Sequence, residues 1–114
     1  MLAKSDIGRK KIAVHDNERK GIFIHKDQLA GTSFRVGDKF SIKRGKQQLF
    51  TLTIIKDEKG EIIYDKNGIF VERSRLVDIL LGGIFDEYQL EIERERPGTI
   101  EIKPLEVIIA SLQS

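Results

Sequence analysis

The chain is expected to be mainly β: a small barrel of short strands with a short helix in each half. Three observations predict this. Apolar and alternating runs are brief, and the connections between most of them are too short for the crossovers that parallel strands require. A block of sequence also occurs twice. Gly21-Ile22-Phe23-Ile24, four polar residues and Leu29 return as Gly68-Ile69-Phe70-Val71, four polar residues and Leu76, and Val36–Ile42 aligns with Asp86–Ile92. Finally, a unit of about 45 residues is too small to hold a large core alone, so the two copies are expected to share one apolar interior.

The elements follow in order. Lys11–His15 reads as a short strand and Asp16–Lys20 as a wholly polar turn. Gly21–Ile24 is β-branched and aromatic, hence a strand. Lys26–Ala30 suits one helical turn, stopped by Gly31-Thr32-Ser33. Lys39–Lys43 alternates, with Phe40 and Ile42 on one face, and Arg44-Gly45-Lys46 turns. Gln48–Lys56 reads as a long strand with Phe50, Leu52 and Ile54 on one side. Asp57–Gly60 separates the halves.

The second half repeats this order. Glu61–Tyr64 is a strand, Asp65-Lys66-Asn67-Gly68 a tight turn, and Gly68–Val71 the next strand. Glu72–Leu81 carries a helical stripe at Leu76, Ile79 and Leu80, ended by Gly82-Gly83. Tyr88–Glu93 alternates with Tyr88, Leu90 and Ile92 inward, Arg96-Pro97-Gly98 turns, and Thr99–Lys103 is the last strand, closed by Pro104. Leu105–Leu112 reads as a short terminal helix or an oligomer contact.

Composition narrows the function classes. A length of 114 residues suits one compact domain. With no Cys and only His15 and His25, disulfides and thiolate metal sites are out and a zinc site lacks ligands. The longest apolar run, Val107–Ala110, cannot span a membrane, and the first residues lack a signal-peptide core, so a cytoplasmic protein with no membrane association is expected. The charge is unevenly divided. Residues 1–57 hold thirteen Lys and Arg against six Asp and Glu, a net +7, while residues 58–114 hold seven against twelve, a net −5. A basic half suits a polyanion and an acidic half does not.

The ordered blocks resemble the AbrB/MazE/SpoVT family of swapped-hairpin DNA-binding domains. Ile22–Leu29 takes the place of that family's strand and early helix. Val36-Gly37-Asp38-Lys39-Phe40-Ser41-Ile42 matches its Gly-Asp turn and alternating strand, and Glu61–Glu106 repeats the unit through Gly98–Ile102. Tandem copies in one chain are similar to the MraZ branch. The chain departs from the family at Lys20-Gly21 and Asn67-Gly68, where Gly-Arg is frequent. It departs again at His25 and Glu72, where Pro is frequent, and at Glu87-Tyr88, which replaces Gly-Asp. The resemblance implies two fused ββαββ units, residues 11–56 and 61–106, that interleave hairpins into one pseudo-twofold barrel. Residues 1–10 would be a flexible basic segment and 107–114 a tail.

It also implies where DNA would bind. Arg9, Lys10, Lys11, Arg19, Lys20 and Lys26 fall before, between and just after the first two strands, in the loops that face DNA in the family, and Arg73 and Arg75 occupy the related place in the second repeat. Such cations neutralise phosphates and release counterions, and Arg19 has the fork to engage guanine. Salt bridging to Glu72 and Asp78 is the alternative for Arg73 and Arg75. Lys39, Lys43, Arg44 and Lys46 read as a solvated strand face. Glu91, Glu93, Glu95 and Glu101 read as a solvated edge, and Phe23 and Phe70 as packing. The expected function is a DNA-binding transcriptional regulator contacting duplex DNA through the basic loops of the first repeat, with neither cofactor nor catalysis. A protein partner on the acidic repeat and homo-oligomerisation are further expectations. The alternative is an antitoxin-like or adaptor module that keeps the barrel without DNA binding.

Overall fold

The computed structural model describes residues 11–45, 48–94 and 96–105. Its strands are β1 (Lys11–Asp16), β2 (Gly21–His25), β3 (Lys39–Ile42), β4 (Leu52–Lys56), β5 (Ile62–Ile63), β6 (Gly68–Glu72), β7 (Glu87–Ile92) and β8 (Thr99–Pro104). A 3₁₀ turn covers Lys26–Leu29, and α1 (Arg75–Leu81) is the one α-helix among the described residues. The expected segments 1–10 and 107–114 lie outside the described residues.

All eight strands join one antiparallel sheet in the order β5-β3-β4-β8-β7-β1-β2-β6. A single bridge, Tyr64 to Ile69, brings the two ends together, so the sheet is a nearly closed barrel. Every strand of the first half pairs with one of the second: β1 with β7, β2 with β6, β3 with β5, β4 with β8. First-half and second-half strands therefore alternate in pairs around the barrel.

The alternation in sequence explains which faces turn inward. Ile22 and Ile24 of β2 and Ile69 and Val71 of β6 are buried, together with Phe40, Leu52, Ile54, Tyr88, Leu90, Ile100 and Ile102, in one apolar cluster drawn from both halves. Each such side chain contributes about 1.5–3 kcal/mol when removed from water. The Tyr88 hydroxyl stays satisfied there, accepting from Phe85 N at 3.1 Å.

Three local expectations are corrected. The helix begins at Arg75 because Ser74 caps it, its Oγ accepting from Val77 N at 3.2 Å, and it ends at Gly82 with φ 78°. That start shifts the buried stripe, so Val77 and Leu81 face the core while Leu76 is 37% and Ile79 65% exposed. The fourth strand begins at Leu52, four residues later than the alternation suggests. Phe50, at φ 55°, leaves the inward row and lays its ring against Gly82. Glu91 on β7 and Glu101 on β8 do not stand on a sheet edge, since β7 lies between β1 and β8, and β8 between β4 and β7, while Glu95 lies outside the described residues.

The helix shift yields a prediction. Leu29, at 2% exposure, and Leu76 follow matching strands by equal spacing, yet only Leu29 is buried. Leu29→Ala should destabilise by about 2–5 kcal/mol, and Leu76→Ala by no more than about 0.5 kcal/mol. Urea denaturation of the two variants reads the difference directly, and similar losses would contradict the helix phase.

Glu91 and Glu101 face each other across β7 and β8. Lys103 Nζ bridges them at 3.3 Å and 3.6 Å, and Arg94 donates to Glu91 at 2.9 Å. Burial opposes ionisation of Glu91, but the Arg94 and Lys103 hydrogen bonds outweigh it and hold the carboxyl below its ordinary value of 4.5. A depressed carboxylate supports the fold fully above its unfolded pKa, and that support disappears as pH falls through the folded value. Glu91→Gln should therefore flatten the loss of stability below pH 4.5, measured by chemical denaturation across an acid pH series. An unchanged acid profile would contradict this role.

Candidate nucleic-acid interface

The centre of the candidate surface is the β2–β6 ribbon, in register Gly21 to Glu72, Phe23 to Phe70 and His25 to Gly68. Since Ile22, Ile24, Ile69 and Val71 point inward, strand alternation turns Phe23 and Phe70 outward, where both are half-buried. Their cover is Arg19, whose guanidinium carbon lies 4.9 Å from the Phe23 ring centre and 4.5 Å from that of Phe70. One cation thus seals a cross-strand aromatic pair made by both halves.

The loop between β1 and β2 is organised by Asp16. Its Oδ1 accepts from Glu18 N at 3.0 Å and Arg19 N at 3.1 Å, and its Oδ2 accepts from Arg19 Nε at 2.8 Å. Lys20 N donates to Asp16 O at 2.8 Å, and Lys20 sits at φ 59°. Hydrogen bonds from the Arg19 side chain and backbone hold the Asp16 carboxyl below its ordinary range. The loop is therefore a tied turn that sets where Arg19 and Lys20 emerge.

Lys20 O accepts from Arg73 N at 3.0 Å, which carries the ribbon's pairing one step beyond Gly21 and Glu72. Lys20, Arg73, Ser74, Arg75 and Asp78 then line a cleft of about 310 Å³. Arg73 Nε reaches Asp78 Oδ2 at 3.3 Å. The expectation that Arg73 and Arg75 are either ligands or salt-bridging residues thus divides. Arg73 is bridged, while Arg75 has no ion pair among the described residues.

Of the cations named from sequence, Arg19, Lys20, Arg73 and Arg75 share this end of the ribbon. Lys26 does not. It lies beyond the other end of β2, its N donating to Asn67 O at 3.0 Å, a strand length of roughly 17 Å away. Lys11 Nζ donates to Ala30 O at 3.4 Å near the end of the 3₁₀ turn. Arg9 and Lys10 lie outside the described residues. The cationic end is composite, because β2 pairs with β6 along its length and delivers Lys20 to Arg73. Asp16 and Ser74 were not singled out in sequence, although an Asp three residues before Arg19 is the signal of a side-chain-tied turn.

The histidines have structural partners. His15 Nδ1 lies 2.8 Å from Asn17 Oδ1, and His25 Nδ1 accepts from Asp27 N at 3.1 Å. His15 Nε2 is buried without a partner among the described residues. No group of three or more His, Cys, Asp or Glu among the described residues could hold a metal ion. No helix among them is long and apolar enough to cross a membrane.

Comparison of the chain with protein-family models, with curated proteins and with solved structures finds no match.

Proposed function

We propose that the protein is a DNA-binding transcriptional regulator of the AbrB/MazE/SpoVT kind, built from two fused ββαββ units that exchange hairpins. The observation that carries this reading is the gathering of Arg19 and Lys20 from one half with Arg73 and Arg75 from the other at one end of the central ribbon. The pairing of every first-half strand with a second-half strand supports the exchanged architecture. Duplex DNA would meet Lys20 and Arg75 through phosphates, with counterion release supplying the affinity. Arg19, held by Asp16 and the two rings, would offer its terminal nitrogens to a base edge or phosphate.

Lys20→Ala combined with Arg75→Ala should weaken duplex binding strongly and lower the slope of log K against log salt by about 0.9 for each phosphate no longer neutralised. Arg94→Ala combined with Arg96→Ala should leave binding nearly unchanged, since Arg94 is engaged with Glu91 on another strand pair. Titration at several salt concentrations decides between them. Equal losses in both variants, or no wild-type binding to a broad pool of duplexes, would overturn the reading.

A specific observation favours a second reading, the antitoxin-like or adaptor module. Leu76 and Ile79 on α1, with Leu49, Phe50 and Ile84, leave large apolar side chains exposed. Apolar surface of this kind suits a protein partner, and pull-down without DNA retardation would select it.

A further inference from the structure

The two ends of the β2–β6 ribbon share a backbone arrangement and differ in chemistry. At one end Arg73 N donates to Lys20 O at 3.0 Å, and at the other Lys26 N donates to Asn67 O at 3.0 Å. The residues that follow these donors are Ser74-Arg75 at the first end and Asp27-Gln28 at the second. The second end is occupied with its own structure. Asp27 faces His25 at 3.3 Å, and Gln28 Oε1 accepts from Ile12 N at 2.9 Å. At the first end the corresponding side chains border an open cleft.

We propose that the cleft bordered by Lys20, Arg73, Ser74 and Arg75 binds one phosphate group, and that the matching end of the ribbon at Lys26 does not. This deepens the nucleic-acid reading and rests on it for the source of the phosphate.

The donors are free in the required sense. Arg73 commits Nε to Asp78 and keeps its terminal N–H groups. Ser74 Oγ accepts from Val77 N, which leaves its O–H proton to donate outward. Lys20 and Arg75 have no ion pair among the described residues. Asp78 is the one acid among the residues lining this cleft, and Arg73 offsets it. Glu72 borders the neighbouring cleft with Phe70. Two uncompensated cations, a guanidinium fork and a hydroxyl suit the charge and the acceptor oxygens of phosphate. The Asp16-tied turn presets Lys20, which lowers the ordering cost of binding.

The same chemistry is offered by a backbone phosphodiester and by a terminal phosphomonoester. The full chain should be titrated with inorganic phosphate and, separately, with dimethyl phosphate at constant ionic strength, followed by amide NMR shifts. Saturable shifts are expected at Lys20, Arg73, Ser74 and Arg75, with none at Lys26, Asp27 or Asn67. Arg75→Gln should weaken the apparent Kd about tenfold, the size of one charge-assisted hydrogen bond, with an unchanged unfolding transition. Saturation by both ligands assigns the cleft to strand backbone, and saturation by inorganic phosphate alone assigns it to a terminal phosphate. Shifts that never saturate, shifts shared equally by both ends, or an Arg75→Gln variant that binds normally would overturn the proposal. Duplex binding without saturable phosphate binding would remove the cleft and leave the nucleic-acid reading standing. Saturable phosphate binding without duplex binding would do the reverse.

Discussion

A fragment spanning residues 1–57 is expected to be unfolded as a monomer, or to form a dimer by pairing with itself. Cutting there strips β1 of β7, β2 of β6, β3 of β5 and β4 of β8. What remains are the β1–β2 and β3–β4 hairpins, which no β-pairing joins to each other. A two-stranded hairpin is marginal in water without a second layer. The fragment also loses Ile69, Val71, Tyr88, Leu90, Ile100 and Ile102, which supply much of the apolar cluster around Ile22, Phe40 and Ile54. Sedimentation and amide NMR dispersion read the outcome. A stable, well-dispersed monomer would refute the dependence of each half on the other.

Gly68→Ala should be among the most damaging single substitutions. Gly68 opens β6 at φ 144°, a conformation that side chains rarely adopt, and a Cβ there would run into the Ile24 carbonyl oxygen and stand 3.0 Å from Lys26 N. Both obstacles are backbone atoms at the ribbon that joins the halves, so relief requires opening β2 from β6. Backbone strain of about 1–3 kcal/mol and overpacking of about 1–3 kcal/mol should combine. Gly31→Ala is the control. Gly31 also has positive φ, 80°, but open space where its Cβ would lie, so only the left-handed penalty of about 1–2 kcal/mol applies. Equal losses in the two variants by urea denaturation would show that the close approach at Gly68 adds nothing.

Strand positions were the most legible part of the fold. Leu52 and Ile54, and Tyr88 and Leu90, turn inward as their alternation predicts, because a strand's side chains change face at every residue whatever they pair with. Helix phase was less legible. Seven residues make about two turns, so a shift of one residue in the cap exchanges Leu76 for Val77. Phe50 shows the converse failure: it continues the alternating pattern in sequence, but its positive φ ends the row before β4 begins.

The candidate site divides along the same line. That Lys20, Arg73 and Arg75 are cations in polar segments beside strands could be read directly. Such properties depend on residue type and on neighbours a few positions away. That Lys20 meets Arg73, that Arg19 covers rings from both halves, and that Lys26 is carried to the far end could not be read that way. These follow from the register of β2 on β6, which is set by burying Ile22, Ile24, Ile69 and Val71 in one interior. Residue order alone indicates where most of the strands lie, several of their inward faces and the supply of charge. Which of those charges come to share a surface is left to the packing of the whole chain, because burial of apolar faces from distant segments selects the register, and the exposed cations follow wherever that register takes them.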